Sequence, residues 1–218
     1  METRAPLILS LALILGMIAI SLWAWPHLSP NGLIAIHFGQ HGQANGFARR
    51  EVALFWAPLL ALGLTIVFAL YAHSQSNHQT AYQGAFITAW LGAVTAVFVG
   101  HCIVVFAARG FHPAIAGTGV LVPALLLTVL GNSLGKTRPN PLIGVRTPWT
   151  KKSDLAWDKT NRLAGRLCVA TGLASLAALA AGGPLIGHGV LLSGVVIMTA
   201  LCIPLSRHYW RRDPNRRM

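Results

Sequence analysis

The chain has little charge, and acidic residues are the scarcest of the charged types. Only 10% of its 218 residues are charged, and 5 Asp and Glu stand against 17 Lys and Arg. Soluble globular chains carry about 25% charged residues, which solvate their surface. The composition therefore excludes an ordinary soluble domain and predicts a protein that lies largely in a membrane.

The apolar stretches contain no acidic residue, because every Asp and Glu lies at their ends or in a loop. Transporters coupled to protons or sodium usually bury a carboxylate in the membrane to carry the coupling charge. Its absence argues against an ion-coupled pump and leaves passive or histidine-based transport open. The three cysteines, Cys102, Cys168 and Cys202, also lie in apolar stretches, so no disulfide framework is predicted.

Long apolar runs make up most of the chain. Hydrophobic residues account for 54% of it, and the mean hydropathy is +0.58. The runs are near the roughly 20 residues that cross about 30 Å of hydrocarbon as a helix. We predict an all-α, polytopic integral membrane protein with about six transmembrane helices. The predicted spans are Ala5 to Trp25, Val52 to Ala72, Ala85 to Ala108, Pro113 to Gly131, Leu163 to Ala181 and Leu185 to Leu205.

The connections between the spans divide the chain into two halves. Residues 1–112 hold the first spans and an outer module, residues 26–51. Residues 113–218 hold the remaining spans and a basic loop, residues 132–162. The Gly-Gly-Pro sequence at 182–184 permits only a tight reversal, so the last two spans are predicted to form an antiparallel hairpin.

Lys and Arg cluster on one side of the predicted membrane protein. With the amino terminus inside the cell, all 17 Lys and Arg except Arg49, Arg50 and Arg109 fall in inner segments. Cation-rich segments stay on the cytoplasmic side, so both termini and the basic loop are predicted to be cytoplasmic and the outer module external. A net charge of +12 would also suit a nucleic acid. Because orientation already explains cations at the ends of spans, no direct nucleic-acid binding is predicted.

The basic loop is predicted to be ordered but irregular at the inner surface. Pro139, Pro141 and Pro148 forbid a continuous helix through it. A helix then begins, because Ser153 has the character of a helix cap. The basic loop is suited to an interfacial anchor, in which each cation near anionic lipid contributes about 1 kcal/mol. A specific binding surface is the alternative.

The helix that follows Ser153 carries two further features. Asp158 and Arg162 are four residues apart, with the acid first, which is a favourable pair on one helix face. Trp149 and Trp157 are suited to the headgroup layer of the membrane, where one edge of the ring is wet and the rest is apolar. The tryptophans predict that this part of the chain lies at the membrane boundary, where the helix runs into the fifth span.

Two stretches imitate catalytic motifs without meeting them. Residues 131–137, Gly-Asn-Ser-Leu-Gly-Lys-Thr, have three residues between the glycines where a phosphate-binding loop needs four, with Leu130 in place of the first glycine. His37 and His41 have the spacing of a zinc protease, but Phe38 replaces the general-base Glu. No nucleophile–base pair or acidic pair lies at one membrane depth. We predict that the protein is not an enzyme, and we assign it no cofactor and no metal ligand.

The histidines allow a different class of function. His101, His112 and His188 are predicted to lie on the outer side, together with His37 and His41. Such a cluster is able to bind a metal or to sense pH, whereas isolated polar residues in a bundle are more often hydrogen-bonded within it. A small-molecule or metal permease that uses these histidines is therefore the alternative function.

The order of residues in the basic loop resembles the signature of the SdpI family of bacterial membrane proteins. That signature runs roughly Gly-Asn, Gly-Lys, Pro-Asn, Gly-(Ile/Val)-Arg-Thr-Pro-Trp-Thr and Trp-x-Lys-Thr-x-Arg. An anchor does not need this particular order. The residues that carry the resemblance are Gly131, Asn132, Gly135, Lys136, Pro139, Asn140, Gly144 to Thr150, Trp157, Lys159, Thr160 and Arg162.

The outer module is similar to a small module of unknown function that often precedes the SdpI signature. Its pattern resembles Ile-Pro-x-His-(Phe/Trp), then Gly, then Asp-Gly. Here it is read in Ile-His-Phe at 36–38, then Gly42, Asn45 and Gly46. Ala35 stands for the usual proline, and Asn45 stands for the usual aspartate.

The resemblance implies a multi-pass protein of the bacterial cytoplasmic membrane that gives immunity against a secreted antimicrobial peptide, or signals by holding a cytoplasmic repressor at the membrane, or both. The outer module would meet the peptide toxin through His37, Gly42, Asn45 and Gly46. The basic loop would meet membrane lipids or the repressor. Its predicted binding residues are Asn132, Lys136, Arg138, Asn140, Arg146, Thr147, Pro148, Trp149, Thr150, Trp157, Thr160 and Arg162.

Overall fold

The fold is that of a polytopic helical membrane protein. The computed structural model describes residues 3–39, 41–74, 83–111 and 115–217. In these ranges five helices are long and apolar enough to cross a membrane. Large hydrophobic side chains cover their outward faces, and the sequence-based prediction of an all-α membrane protein is confirmed. The helices are α1 (Arg4–Ala24), α2 (Arg50–Ser74), α3 (Gln83–Ala108), α4 (Ile115–Leu134) and α5 (Asp154–Arg212).

The helix bounds agree with the predicted spans to within a few residues, except that α5 begins nine residues before Leu163 and ends seven residues after Leu205. The predicted span at residues 113–131 corresponds to α4, although its first two positions lie outside the described residues. The two last predicted spans are parts of one helical run, α5. The orientation of the chain across the membrane stays a prediction from the distribution of cations.

Helix α5 reverses direction at Gly183. This residue has φ 79° and ψ −176°, a conformation that glycine adopts without strain. The Cys168 thiol lies 3.3 Å from the Met198 sulfur, so the parts before and after Gly183 run side by side in opposite directions. The predicted hairpin is present. Its first arm is residues 154–182, and its second arm is residues 184–212.

The outer module contains a small β-sheet that the sequence analysis did not predict. Strand β1 (Leu33–Phe38) pairs antiparallel with β2 (Ala44–Arg49). A short 3₁₀ helix, Trp25–His27, connects it to α1. A run of β-branched and aromatic residues bounded by glycines is a strand signal, and residues 33–38 carried it. The all-α description therefore holds for the membrane-spanning part only.

The chain forms two compact units. The first is Met1–His78 with Trp90–Val122, and the second is Gln79–Ala89 with Pro123–Met218. The division falls within helices α3 and α4. Each unit has its own packing.

In the first unit, a buried polar chain ties α1, α2 and α3 together. The Ser21 hydroxyl donates to the Leu54 carbonyl at 2.7 Å, and it accepts from His101 Nε2 at 3.0 Å.

Where α2 begins, the Arg50 guanidinium lies 3.8 Å from the centre of the Trp25 ring. It also donates to the Leu28 carbonyl at 3.2 Å. These bonds attach the outer module to the ends of the first two helices.

In the second unit, α4 and the first arm of α5 touch backbone to backbone. A Cβ atom at Gly131 would lie 2.6 Å from Cys168 Cβ and 2.7 Å from the Gly165 carbonyl oxygen. A Cβ atom at Gly172 would lie 2.5 Å from the Ala124 carbonyl oxygen and closer still to the Thr128 hydroxyl. Without a hydrophobic driving force in lipid, helices associate through such close packing, and glycine permits it.

The helix contact predicts that Gly172→Ala destabilises the second unit. The added methyl group has no space, so α4 and α5 must separate, at a cost of about 1–3 kcal/mol. The matched control is Gly189→Ala in the second arm, where an added Cβ meets nothing within 4 Å. Thermal unfolding in detergent, followed by size-exclusion chromatography, compares the two variants. Equal melting temperatures would contradict the close contact.

Candidate functional site

The irregular part of the basic loop, residues 135–153, holds itself in shape through side chains that bond to its own backbone. Asn140 Oδ1 accepts from the backbone N–H groups of Leu142 at 2.9 Å and Ile143 at 2.7 Å. Its Nδ2 donates to the Ile143 carbonyl at 2.9 Å and the Arg138 carbonyl at 2.8 Å. Because the prolines on either side of Asn140 lack an N–H group, its side chain forms the turn that no helix or strand supplies.

Asn161 connects the middle of the basic loop to α5. It is buried, its Oδ1 accepts from the Val145 N–H at 2.7 Å, and its Nδ2 donates to the Trp157 carbonyl at 3.0 Å. Gly144 lies against it with φ 138°, and a Cβ there would be 2.8 Å from Asn161 Oδ1. Asn161 is not among the predicted binding residues of the basic loop. The available signal was its position four residues after Trp157, because an Asn side chain at this helical spacing can bond to the earlier carbonyl.

Thr147 and Thr150 close a second turn. The Thr147 N–H donates to Thr150 Oγ1 at 2.9 Å, and the Thr150 hydroxyl donates to the Val145 carbonyl at 2.8 Å. The Thr147 hydroxyl donates to Ser206 Oγ in the second arm of α5 at 2.9 Å. Both threonines are buried, so they fix the backbone that presents their exposed neighbours Arg146 and Pro148.

The two tryptophans of the basic loop have different environments. Trp157 is only 2% exposed, and its Nε1 donates to the Thr137 carbonyl at 3.0 Å. The expected wet edge is wrong for Trp157, because its polar edge bonds to the protein itself. Trp149 is half-buried, and the Arg207 guanidinium lies 5.9 Å from the centre of its ring.

The residues after α5 contact the end of the irregular part of the basic loop. The predicted helix cap is confirmed, because Ser153 Oγ accepts from the Ala156 N–H at 2.9 Å. The same hydroxyl donates to the Asp213 carboxylate. The Arg217 N–H donates to the Lys152 carbonyl at 2.9 Å. The carboxyl-terminal residues are therefore part of the loop structure.

The predicted binding residues of the basic loop divide into a buried and an exposed set. Thr147, Thr150, Trp157 and Thr160 are buried, and Asn140 and Trp149 are partly so. The predicted pair of Asp158 with Arg162 is confirmed, at 2.9 Å. The side chains that remain exposed to a partner are those of Asn132, Lys136, Arg138, Arg146, Pro148 and Arg162.

The outer module brings its predicted binding residues together in the β1–β2 hairpin. His37 Nδ1 donates to Asn45 Oδ1 across the hairpin. Gly46 pairs with His37 in the sheet, and a Cβ at Gly46 would lie 2.9 Å from His37 Cβ. Gly42, with φ 80°, lies in the turn. The His-Gly-Asn-Gly pattern thus builds the hairpin, and the His37–Asn45 pair is exposed.

An apolar groove of about 430 Å³ lies under the hairpin. Its walls come from the segment before β1, both strands and the end of α3, and include Leu28, Ile34, Phe38, Phe47 and Phe111. Phe47 and Phe111 are more than half exposed. An exposed apolar groove of this kind fits an apolar ligand.

The histidines of the alternative function have local partners. His188 Nδ1 lies 2.8 Å from the Pro184 carbonyl of its own helix, and His101 bonds within the first unit. His112 lies outside the described residues. Among the described residues, no group of three or more His, Cys, Asp or Glu side chains is placed to hold a metal ion. The permease interpretation stays an untested prediction.

The threonine turn predicts that Thr150→Val opens the basic loop. Valine keeps the shape but leaves the Thr147 N–H and Val145 carbonyl without their partner, which costs about 1–3 kcal/mol. Because local opening exposes the backbone, trypsin should cut after Arg146 roughly fivefold faster or more. Thr199→Val is the control, since that hydroxyl bonds only its own exposed helix. Equal cleavage rates in both variants would contradict this role.

The Asp213 carboxylate predicts a dependence of stability on pH. Its pKa lies below the ordinary value of 3.8, chiefly because of the hydrogen bond from Ser153 and then that from the Asn215 N–H. A lowered folded-state pKa contributes stability that is complete above about pH 4 and is lost as the pH falls further. Asp213→Asn should therefore lower the melting temperature more at pH 7 than at pH 3. The same decrease at both values would overturn this assignment.

Comparison with known proteins identifies both patterned segments. Residues 136–206 match the SdpI/YfhL protein family, and residues 12–62 match a domain of unknown function, DUF1648. The chain is 34% identical over 100 residues to the Immunity protein SdpI of Bacillus subtilis (strain 168). The matched part is 45% of this chain and 45% of that relative. No solved structure matches. The protein is a multi-pass membrane protein whose residues 136–206 match the SdpI/YfhL family, with a DUF1648 match before them.

Proposed function

We propose that the protein protects its cell against a secreted antimicrobial peptide, acting from the bacterial cytoplasmic membrane. The observation that carries this proposal is the 34% identity over 100 residues to a relative named as an immunity protein. The distribution of Lys and Arg supports an orientation with the outer module outside the cell. In that orientation the outer module is the part that a secreted peptide reaches first.

The outer module supports peptide contact in two ways. The groove under the hairpin offers apolar walls, including Phe38 and Phe47, to the apolar side chains of a membrane-active peptide. The sheet has only two strands, so each strand keeps one edge whose backbone groups can pair with an extended peptide. The exposed His37–Asn45 pair lies on the same hairpin and supplies polar contacts beside the groove.

The basic loop supports a second contact, with a cytoplasmic protein. Arg138 and Arg146 are exposed, and neither forms an ion pair within the described part of the chain. Buried groups fix the backbone around them, so these cations have defined positions rather than the freedom of a flexible tail. A repressor with an acidic surface would fit such a surface and be held at the membrane by it.

The test of the immunity function is survival of a sensitive bacterial host. Cells that express the protein should survive exposure to the peptide toxin at least tenfold better than cells with an empty vector, an effect of more than about 1.4 kcal/mol if it follows binding. Phe47→Ala should remove most of this protection, because it removes a wall of the groove. Equal survival of cells with the wild-type protein and cells with the empty vector would contradict the proposal.

Two further variants serve as controls in this assay. Trp56→Ala removes an aromatic side chain that is 63% exposed on α2 and does not line the groove, so it should leave survival unchanged. Arg146→Ala changes the basic loop alone, so it distinguishes a contribution of the basic loop to survival from one of the outer module. All variants are compared at matched membrane levels, measured by immunoblotting.

A further inference from the structure

A second groove, of about 520 Å³, lies in the second unit beside the contact of α4 with the first arm of α5. Neither the family match nor the proposed immunity function assigns it a role. Its residues are of three kinds: glycines at the helix contact, cations and an amide at one end, and aliphatic side chains at the other. They are Gly131, Asn132, Gly135, Lys136, Arg162, Gly165, Arg166, Val169, Ala170 and Leu173.

The groove exists because its glycines have no side chains. Gly131 and Gly165 face each other so closely that a Cβ at Gly165 would lie 2.6 Å from the Gly131 carbonyl oxygen. Gly135 lies at the rim, where a Cβ would be in ordinary contact, 3.4 Å from Arg162 Cα. A substitution at Gly135 would therefore narrow the groove while leaving the two helices together.

One end of the groove is strongly cationic. Lys136, Arg162 and Arg166 are all exposed, and Asn132 adds an amide one turn before Lys136. Arg162 uses its Nε for Asp158, at 2.9 Å, which leaves its terminal nitrogens available. Within the described residues, neither Lys136 nor Arg166 takes part in an ion pair. The cationic end therefore has an excess of positive charge that an anion would balance.

The other end of the groove is apolar and continues along the same helix face. Val169, Ala170 and Leu173 follow Arg162 and Arg166 at helical spacing, so all five side chains form one stripe of α5. Leu173 is 52% exposed. The predicted fifth span begins at Leu163, so we expect the apolar end to lie along the hydrocarbon and the cations to lie near the headgroups.

We propose that the groove binds one anionic phospholipid. Its phosphate lies among Lys136, Arg162 and Arg166, and one acyl chain lies along Val169, Ala170 and Leu173. A free phosphate ion would balance the same cations but leave the aliphatic half uncovered, so a lipid is the better complement to the whole groove. The inference holds whether or not the protein gives immunity.

The experiment is a lipid titration of the purified full-length protein in a neutral detergent, followed by native mass spectrometry. Phosphatidylglycerol is compared with phosphatidylcholine of the same acyl chains and with glycerol phosphate, which has no chain. The wild-type protein should bind one phosphatidylglycerol in preference to phosphatidylcholine. The double variant Lys136→Gln with Arg166→Gln should lose roughly tenfold or more in affinity, since each cation near an anionic lipid contributes substantially.

Two single variants separate a defined site from general attraction. Gly135→Ala keeps every charge and narrows the groove, so it should also weaken phosphatidylglycerol binding. Lys159→Gln removes an exposed cation of the same helix outside the groove and should bind like the wild type. A loss with Lys159→Gln as large as with the double variant would overturn the proposal. So would binding of glycerol phosphate as tight as that of phosphatidylglycerol, which would indicate a phosphate site without a lipid.

Discussion

The close approach of α4 to the first arm of α5 is the contact on which the second unit depends. Glycines at 131, 165 and 172 let two backbones touch where any side chain would separate them. This contact brings together the two ends of the chain segment that holds the irregular part of the basic loop. The glycines of this contact also line the groove that Lys136, Arg162 and Arg166 make cationic. The close contact of α4 with α5 thus shapes both the basic loop and the cationic groove.

In the basic loop, side chains supply hydrogen-bond partners to the backbone. Apart from a short 3₁₀ turn at Thr150–Lys152, its irregular part, residues 135–153, forms neither helix nor sheet, and buried unpaired groups would cost about 1–3 kcal/mol each. Asn140, Asn161 and Thr150 supply the missing partners with side chains. The residues of the Arg-Thr-Pro-Trp-Thr order therefore have two different roles. Its threonines build the turn, and its arginine remains exposed.

The sequence allowed the local features of this protein to be predicted and left the distant contacts unseen. The cap at Ser153, the pair of Asp158 with Arg162 and the reversal at Gly183 depend on neighbours within a few residues. The burial of Trp157 and the β1–β2 hairpin were missed. Trp157 Nε1 bonds to the Thr137 carbonyl, 20 residues earlier in the chain, and helix periodicity does not reveal such a contact. The hairpin was missed because a short two-stranded sheet leaves only a weak alternation of residue types.

The contacts that complete the basic loop come from far along the chain. Ser206 lies 59 residues after Thr147, and Asp213 lies 60 residues after Ser153. During biosynthesis, the ribosome releases these partners only after both arms of α5 have been made. The loop therefore cannot reach its final shape until the last helical arm has inserted and turned back. A chain that ended before Ser206 would leave the Thr147 hydroxyl without this partner, so the shape of the loop depends on the second arm of α5.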